Sequence, residues 1–114
     1  MTQQRRVLGI DGEDRAAAWY RERGYTVLDR NWRCRDGELD LVVAKGRTVV
    51  FCEVKTRTSD AFGAASEAVG HTKRVRIRGL AARWLEEPPF RPLGIRFDVV
   101  AITAGELEVI EGAF

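Results

Sequence analysis

The 114 residues predict a mixed α/β fold, an α+β mixed sheet in a single domain. Three observations carry that prediction. Gly37–Arg57 reads as two strands joined by a tight turn, two stretches place apolar residues at helical spacing, and Ile95–Thr103 is a further strand-forming run. Taken together the elements follow the order α-β-β-β-α-β-β. Periodicity goes no further than α+β or α/β and leaves the specific fold open.

Residues 1–8 read as a flexible arm with Arg5 and Arg6 exposed. A helix is predicted from about Asp11 to Arg23, capped by Asp11 and ended by Gly24. Its apolar stripe is Ala16, Ala17 and Tyr20, with Trp19 at the edge. Glu13 precedes that stripe by one turn, so it either complements the helix dipole or reaches into a site. Tyr25–Asp29 predicts a strand, and Asn31–Asp36 a polar, basic connector. Within it Trp32 is expected to pack over a sheet edge rather than stack on a base or sugar.

The central hairpin is the chemical core of the sequence. Leu39, Leu41 and Val43 alternate with Glu38, Asp40 and Val42, and Thr48–Val54 is nearly all β-branched or aromatic. Gly46 supplies the turn. With Gly46-Arg47 as the loop, Lys45 pairs with Thr48 and Asp40 lies opposite Glu53; with Lys45-Gly46 as the loop, Asp40 lies opposite Phe51. Either register keeps Asp40, Glu53 and Lys55 on one face, because strand side chains alternate with period two. Two facing carboxylates repel and raise at least one pKa unless a cation intervenes. Mg²⁺ suits such a pair, with the Val54 carbonyl as a further oxygen ligand.

After Arg57 comes TSDAFGAASEAVG, a small-residue loop long enough to be functional or a plain connector. The second helix is predicted from Thr72 to Glu86, capped by Thr72 and ended by Pro88-Pro89. Ile77, Leu80, Ala81 and Trp84 form its buried stripe. Lys73 lies in line with that stripe, so it either snorkels from the core edge or points into a site. Arg74 and Arg78 flank the stripe as phosphate contacts or solvated surface. Ile95–Thr103 and Glu106–Ile110 are the last strands, turned at Ala104-Gly105. Arg96 and Asp98 share a strand face and read as a structural ion pair.

Composition narrows the classes. An apolar share of 45% and a charged share of 32% suit a soluble domain. No apolar run approaches the ~20 residues of a membrane span, and the opening residues have no signal-peptide core, so a cytoplasmic location and no membrane partner are expected. Cys34 and Cys52 form no metal-ligand spacing, and Cys52 reads as a core residue. Net charge is only +2, but its distribution is uneven. Lys73, Arg74, Arg76, Arg78 and Arg83 follow one another with no intervening acid; Arg30, Arg33 and Arg35 form a second cluster, and Glu106, Glu108 and Glu111 gather near the end. Such a division is compatible with a phosphate-binding side and equally with solvated surface.

Asp40 followed by Glu53-Val54-Lys55 resembles the PD-(D/E)xK signature of restriction-endonuclease-like nucleases. The flanking words GELDLV, VVFCEVKTR and RFDVV resemble the YraN-like family of small bacterial proteins, related to Holliday-junction resolvases, from about Gly9 to Ile102. The resemblance implies a restriction-endonuclease-like core and a metal-dependent DNA endonuclease, acting on branched or single-stranded DNA. It implies Mg²⁺, with Mn²⁺ as a substitute, held by Asp40, Glu53, the Val54 carbonyl and Glu13, with Lys55 and Lys73 as catalytic cations. Gly9, Gly12, Glu13 and Ala16 match the family's opening pattern, and Glu67 matches an acidic position of unassigned role. Arg57, Lys73, Arg74, Arg78, Arg33 and Arg35 are the expected nucleic-acid contacts. Nucleases of this kind often act as homodimers, for which Trp84, Phe90 and Phe114 are candidate apolar contacts. Two other classes compete: a nucleic-acid-binding module that keeps the site without turnover of its own, and an interaction protein whose charged strand face is structural.

Overall fold

The computed structural model describes residues 2–59, 69–87 and 91–114, with side chains from Gly12 onward. Its elements run α1 (Thr2–Glu22), β1 (Thr26–Cys34), β2 (Gly37–Lys45), β3 (Thr48–Arg57), α2 (His71–Leu85), β4 (Gly94–Thr103) and β5 (Glu106–Ile110). The order α-β-β-β-α-β-β is the expected one. One five-stranded sheet has the spatial order β1-β2-β3-β4-β5. All neighbours are antiparallel except β3 and β4, which run parallel. That parallel pair requires a crossover, and α2 lies on it.

The two helices cover opposite faces. Ala16, Ala17 and Tyr20 of α1 pack on Leu41, Val43, Val50, Cys52, Val100 and Ile102. Ile77, Leu80 and Ala81 of α2 pack on Val42, Ala44, Val49, Phe51 and Val99. Cys52 is buried as expected, and burial pushes its thiol pKa up. Asp98 is fully buried beneath α1, where it accepts the Tyr20 hydroxyl at 2.6 Å and the Gly112 N–H at 3.0 Å. Arg96 grips both its oxygens at 2.8 Å, so the expected structural ion pair is present. Burial, together with the Asp98 carboxylate, holds the Tyr20 hydroxyl far above its ordinary pKa.

Several element limits differ from the sequence reading, each for a local reason. The first helix does not begin at Asp11 after a loose arm; it starts at Thr2, where Gln, Arg and Leu favour a helix, no proline interrupts it, and the single glycine at position 9 is not enough to end it. Its end is as expected. Gly24 takes φ 88° and donates to the Arg21 carbonyl, while Tyr25 donates to the Tyr20 carbonyl. The first strand does not stop at Asp29 but runs to Cys34, with only Arg35-Asp36 between it and β2. An extra residue at Leu28 and a positive φ at Asn31 break its alternation, which hid the strand from a period-two reading. α2 begins at His71 after Gly70, and Thr72 is not its cap.

Trp32 packs against the core under α2, as expected. Trp84 and Phe114 are not free apolar contacts. Trp84 meets Phe51 edge-on and donates to Asp29, and Phe114 stacks on Phe97. Phe90, Pro88-Pro89 and Glu67, with most of the loop after Arg57, lie outside the described residues. No described helix is long and apolar enough to cross a membrane.

Candidate active site

The hairpin adopts the register with Gly46-Arg47 as its loop: Lys45 pairs with Thr48, Gly46 has φ 61°, and the last rung is Leu41–Cys52. Continuing that register sets Asp40 opposite Glu53, but no rung forms there. The Asp40 carboxylate turns into the gap and accepts the Val54 N–H at 2.9 Å. Leu39 and Val42 both pack on the α2 side while Leu41 and Val43 pack on the α1 side, so strict alternation breaks at Asp40. The expectation of one shared face therefore gives way to a site that straddles the sheet. Asp40 lies between the strands, while Glu53 meets a side chain of α2 and Asp40 neighbours a glutamate of α1.

Helix α1 supplies Glu13. It comes close because Gly12 faces β3 without a side chain; a methyl group there would collide with Thr56 Oγ1. Carboxylate oxygens of Glu13, Glu38 and Asp40 all lie within 4.8 Å of one another. Glu38 went unnoticed in the sequence. The signal was available, since it lies two residues before Asp40 on the same strand. Asn31 Nδ2 donates to Glu13 at 2.9 Å, and Arg33 pairs with Glu38 at 3.3 Å.

Helix α2 supplies Lys73. Its Nζ lies 2.5 Å from Glu53 Oε1, so it points into the site rather than snorkelling away. Glu53 has a side chain only 8% exposed, and Lys73 gives it a charge partner. Lys55 is exposed on the same strand. Glu13, Asp40, Glu53, Lys55, Arg57 and Lys73 line one open cleft of about 920 Å³, together with Val54. Arg57 is held there by a 3.0 Å bond to Thr103.

The electrostatics of the cleft are unbalanced at Asp40. Burial, then the Glu53 charge, pushes its pKa from 3.8 up to about 7; the Val54 N–H opposes this, and Glu13 and Glu38 add to it. A hard divalent cation would relieve that repulsion, and the carboxylate oxygens of Glu13, Glu38 and Asp40 are the hard donors that such an ion takes.

The other expected contacts are dispersed. Arg33 sits at the rim through Glu38, and Arg35 is exposed at the β1–β2 turn. Arg74 and Arg78 lie on the flank of α2 that faces Phe97 and Phe114, outside the cleft lining.

Residues 12–102 match the family described as Uncharacterised protein family UPF0102. The chain belongs to that family. It is the YraN-like family that the words of the central hairpin resemble. A UPF0102 protein of Frankia alni is 51% identical over 113 residues, covering 95% of this chain and 94% of its own length. Another from Moorella thermoacetica is 46% identical and covers both chains in full. A third, from Mycolicibacterium vanbaalenii, is 47% identical over 96% of this chain and 91% of its own. These UPF0102 relatives match this chain in length as well as in sequence, so the cleft from Glu13 to Gly105 falls within what they share, and all of its lining but Ala104 and Gly105 falls within the family match.

Proposed function

We propose that this UPF0102 protein is a divalent-metal-dependent nuclease of the cytoplasm that hydrolyses phosphodiester bonds in DNA, with branched or single-stranded forms as its substrates. The observation that supports this reading is the convergence of Asp40, Glu53, Glu13, Lys55 and Lys73, from four separate elements, on one open cleft.

Asp40, Glu53, Glu13 and the Val54 carbonyl would hold Mg²⁺ or Mn²⁺, and Glu38 is near enough to join them. Such an ion, when bound, lowers the pKa of water and polarises a phosphoryl oxygen. The chain's own groups do the rest. The Val54 N–H holds the Asp40 carboxylate in the gap between β2 and β3. Lys55, exposed at the cleft, offsets negative charge on the phosphate as water adds and the bond to the leaving sugar oxygen breaks. One product keeps the phosphate as a monoester and the other leaves with a hydroxyl. Arg57 and Lys73 orient the phosphate backbone over the cleft. Two copies would offer two clefts to two strands.

A second reading rests on the Lys73–Glu53 contact. With Glu53 neutralised by a lysine, the protein would bind nucleic acid at an intact site yet turn over only with a partner.

Labelled four-way junction, flap, single-stranded and linear duplex DNA, incubated with Mg²⁺, Mn²⁺ or EDTA, separate the two. Metal-dependent cutting that Lys55→Ala abolishes without loss of binding supports the nuclease. Salt-sensitive binding without cutting by wild-type protein supports the second reading.

A further inference from the structure

Helix α2 has two basic flanks, and they are not equivalent. Arg74 and Arg78 lie over Phe97 and Phe114. The opposite flank carries Lys73, Arg76, Gly79 and Arg83, spaced three, three and four residues apart, so they form one row along the helix. The row begins in the cleft, at Lys73 against Glu53. It passes Arg76, whose stem lies beside Gly37. It ends at Arg83, which pairs with Asp36 of the β1–β2 turn at 2.5 Å. Arg76 is exposed and makes no ion pair or hydrogen bond among the described residues.

Gly79 is the odd member. It is exposed in the middle of α2, and a methyl group added there would meet none of the described residues within 4 Å. A glycine inside a helix weakens it relative to any ordinary residue. At Gly12 and Gly37 the fold itself supplies a reason, because neighbouring side chains crowd the position. At Gly79 none of the described residues does. The missing side chain leaves a bare patch of helix backbone between two arginines, open to close approach from outside.

Resting on the nuclease or binding reading above, we propose that the Lys73–Arg76–Gly79–Arg83 flank of α2 is the track for the sugar-phosphate backbone of the nucleic-acid strand that leaves the cleft, with Gly79 as its point of closest approach. At a 1.5 Å rise the row is about 15 Å long. Followed along the strand itself, adjacent phosphates lie about 6–7 Å apart, more than their roughly 3.4 Å axial rise, so the row spans two to three phosphates. Arginine forks suit phosphate oxygens, and no acid stands on α2 from His71 to Leu85 to repel them. The continuity with the cleft favours a nucleic-acid strand over an acidic protein surface.

The test measures binding of a fluorescein-labelled duplex and of its single strands in EDTA across a salt series, so that it does not depend on cleavage. Gly79→Leu should keep or raise the Tm, since leucine is the better helix former and the space is open. It should nevertheless weaken binding by about tenfold or more, the scale of a lost recognition contact. Arg76→Gln should weaken binding and lower the salt slope by about one. Ala82→Leu, on the exposed back of α2, should change neither. Wild-type affinity in Gly79→Leu and Arg76→Gln would overturn the track while leaving the nucleic-acid reading intact. Loss of poly-glutamate binding in those variants, with DNA binding unchanged, would assign the flank to an acidic protein instead. Absence of any salt-dependent DNA binding by the wild type would overturn both readings.

Discussion

Asn31 and Asp40 stand opposite each other at a rung missing from the β1–β2 ladder, between the pairs Arg30–Leu41 and Trp32–Leu39. Both side chains are engaged elsewhere: Asn31 donates to Glu13, and Asp40 accepts from Val54. Asn31 does so from a left-handed backbone conformation, φ 53°, which asparagine tolerates better than most residues. Two local departures from regular sheet thus open the gap that the acidic cluster occupies.

That geometry makes Asn31 sensitive to its replacement. Asn31→Val should cost about 2 kcal/mol in urea denaturation, because a β-branched residue is strained at this φ and the Glu13 contact is lost. Asn31→Gly should cost less, since glycine accepts the backbone, yet it should still free Glu13 and impair metal-dependent cleavage. Equal stability of the valine variant and the wild type would show that the positive φ imposes no constraint.

Lys73 and Glu53 make a different prediction. Lys73→Met leaves a carboxylate that is nearly buried without its counter-charge, at an expected cost of about 1–3 kcal/mol. Mg²⁺ should recover more Tm in this variant than in the wild type, because the ion then has no lysine to displace. Thermal melts with Mg²⁺ and with EDTA measure both effects. A variant no more responsive to Mg²⁺ than the wild type would separate Glu53 from the cation site.

The raised pKa of Asp40 sets a pH dependence. The folded protein holds this proton up to about pH 7, whereas the ordinary value is 3.8. The folded state therefore binds the proton more tightly than the unfolded chain. The resulting stability is complete below about pH 4 and is lost as pH rises through about 7. Wild-type stability in EDTA should accordingly fall relative to Asp40→Asn across that window, by on the order of 2 kcal/mol. Parallel pH profiles for the two proteins would be the contrary result. Affinity for Mg²⁺ should rise over the same interval as the proton leaves.

Asp98 should behave as a structural residue. It is fully buried and ties Tyr20 of α1, Arg96 of β4 and the backbone at Gly112 to one carboxylate. Asp98→Ala strands the Arg96 charge and the Tyr20 hydroxyl, and should cost about 3–5 kcal/mol by urea titration. Tyr20→Phe removes one hydrogen bond and should cost about 1–2 kcal/mol while leaving DNA binding unchanged. A loss of DNA binding by well-folded Tyr20→Phe would give this network a role beyond the fold.

Sequence alone determined the elements whose patterns are local. The hairpin and its glycine turn follow from Gly46 and the alternation on either side of it, with two registers left open between which strand pairing chose, and the end of α1 follows from Gly24. The five-residue last strand follows from its own turn at Ala104-Gly105. Asp40, Glu53 and Lys55 could be singled out because they sit on two strands joined by that short turn. Tertiary structure decided what depends on distant neighbours. The length of β1 was hidden because Leu28 and Asn31 interrupt its period, and only pairing with β2 carries the strand past them. Glu38 joined the acidic cluster because Glu13 was brought to it by α1, and Lys73 was aimed at Glu53 by the packing of α2 on the sheet. Arg74 and Arg76 look alike in the sequence. The helix turned one toward Phe114 and the other toward Gly37, because two residues at about 100° each set their side chains about 200° apart, on opposite flanks.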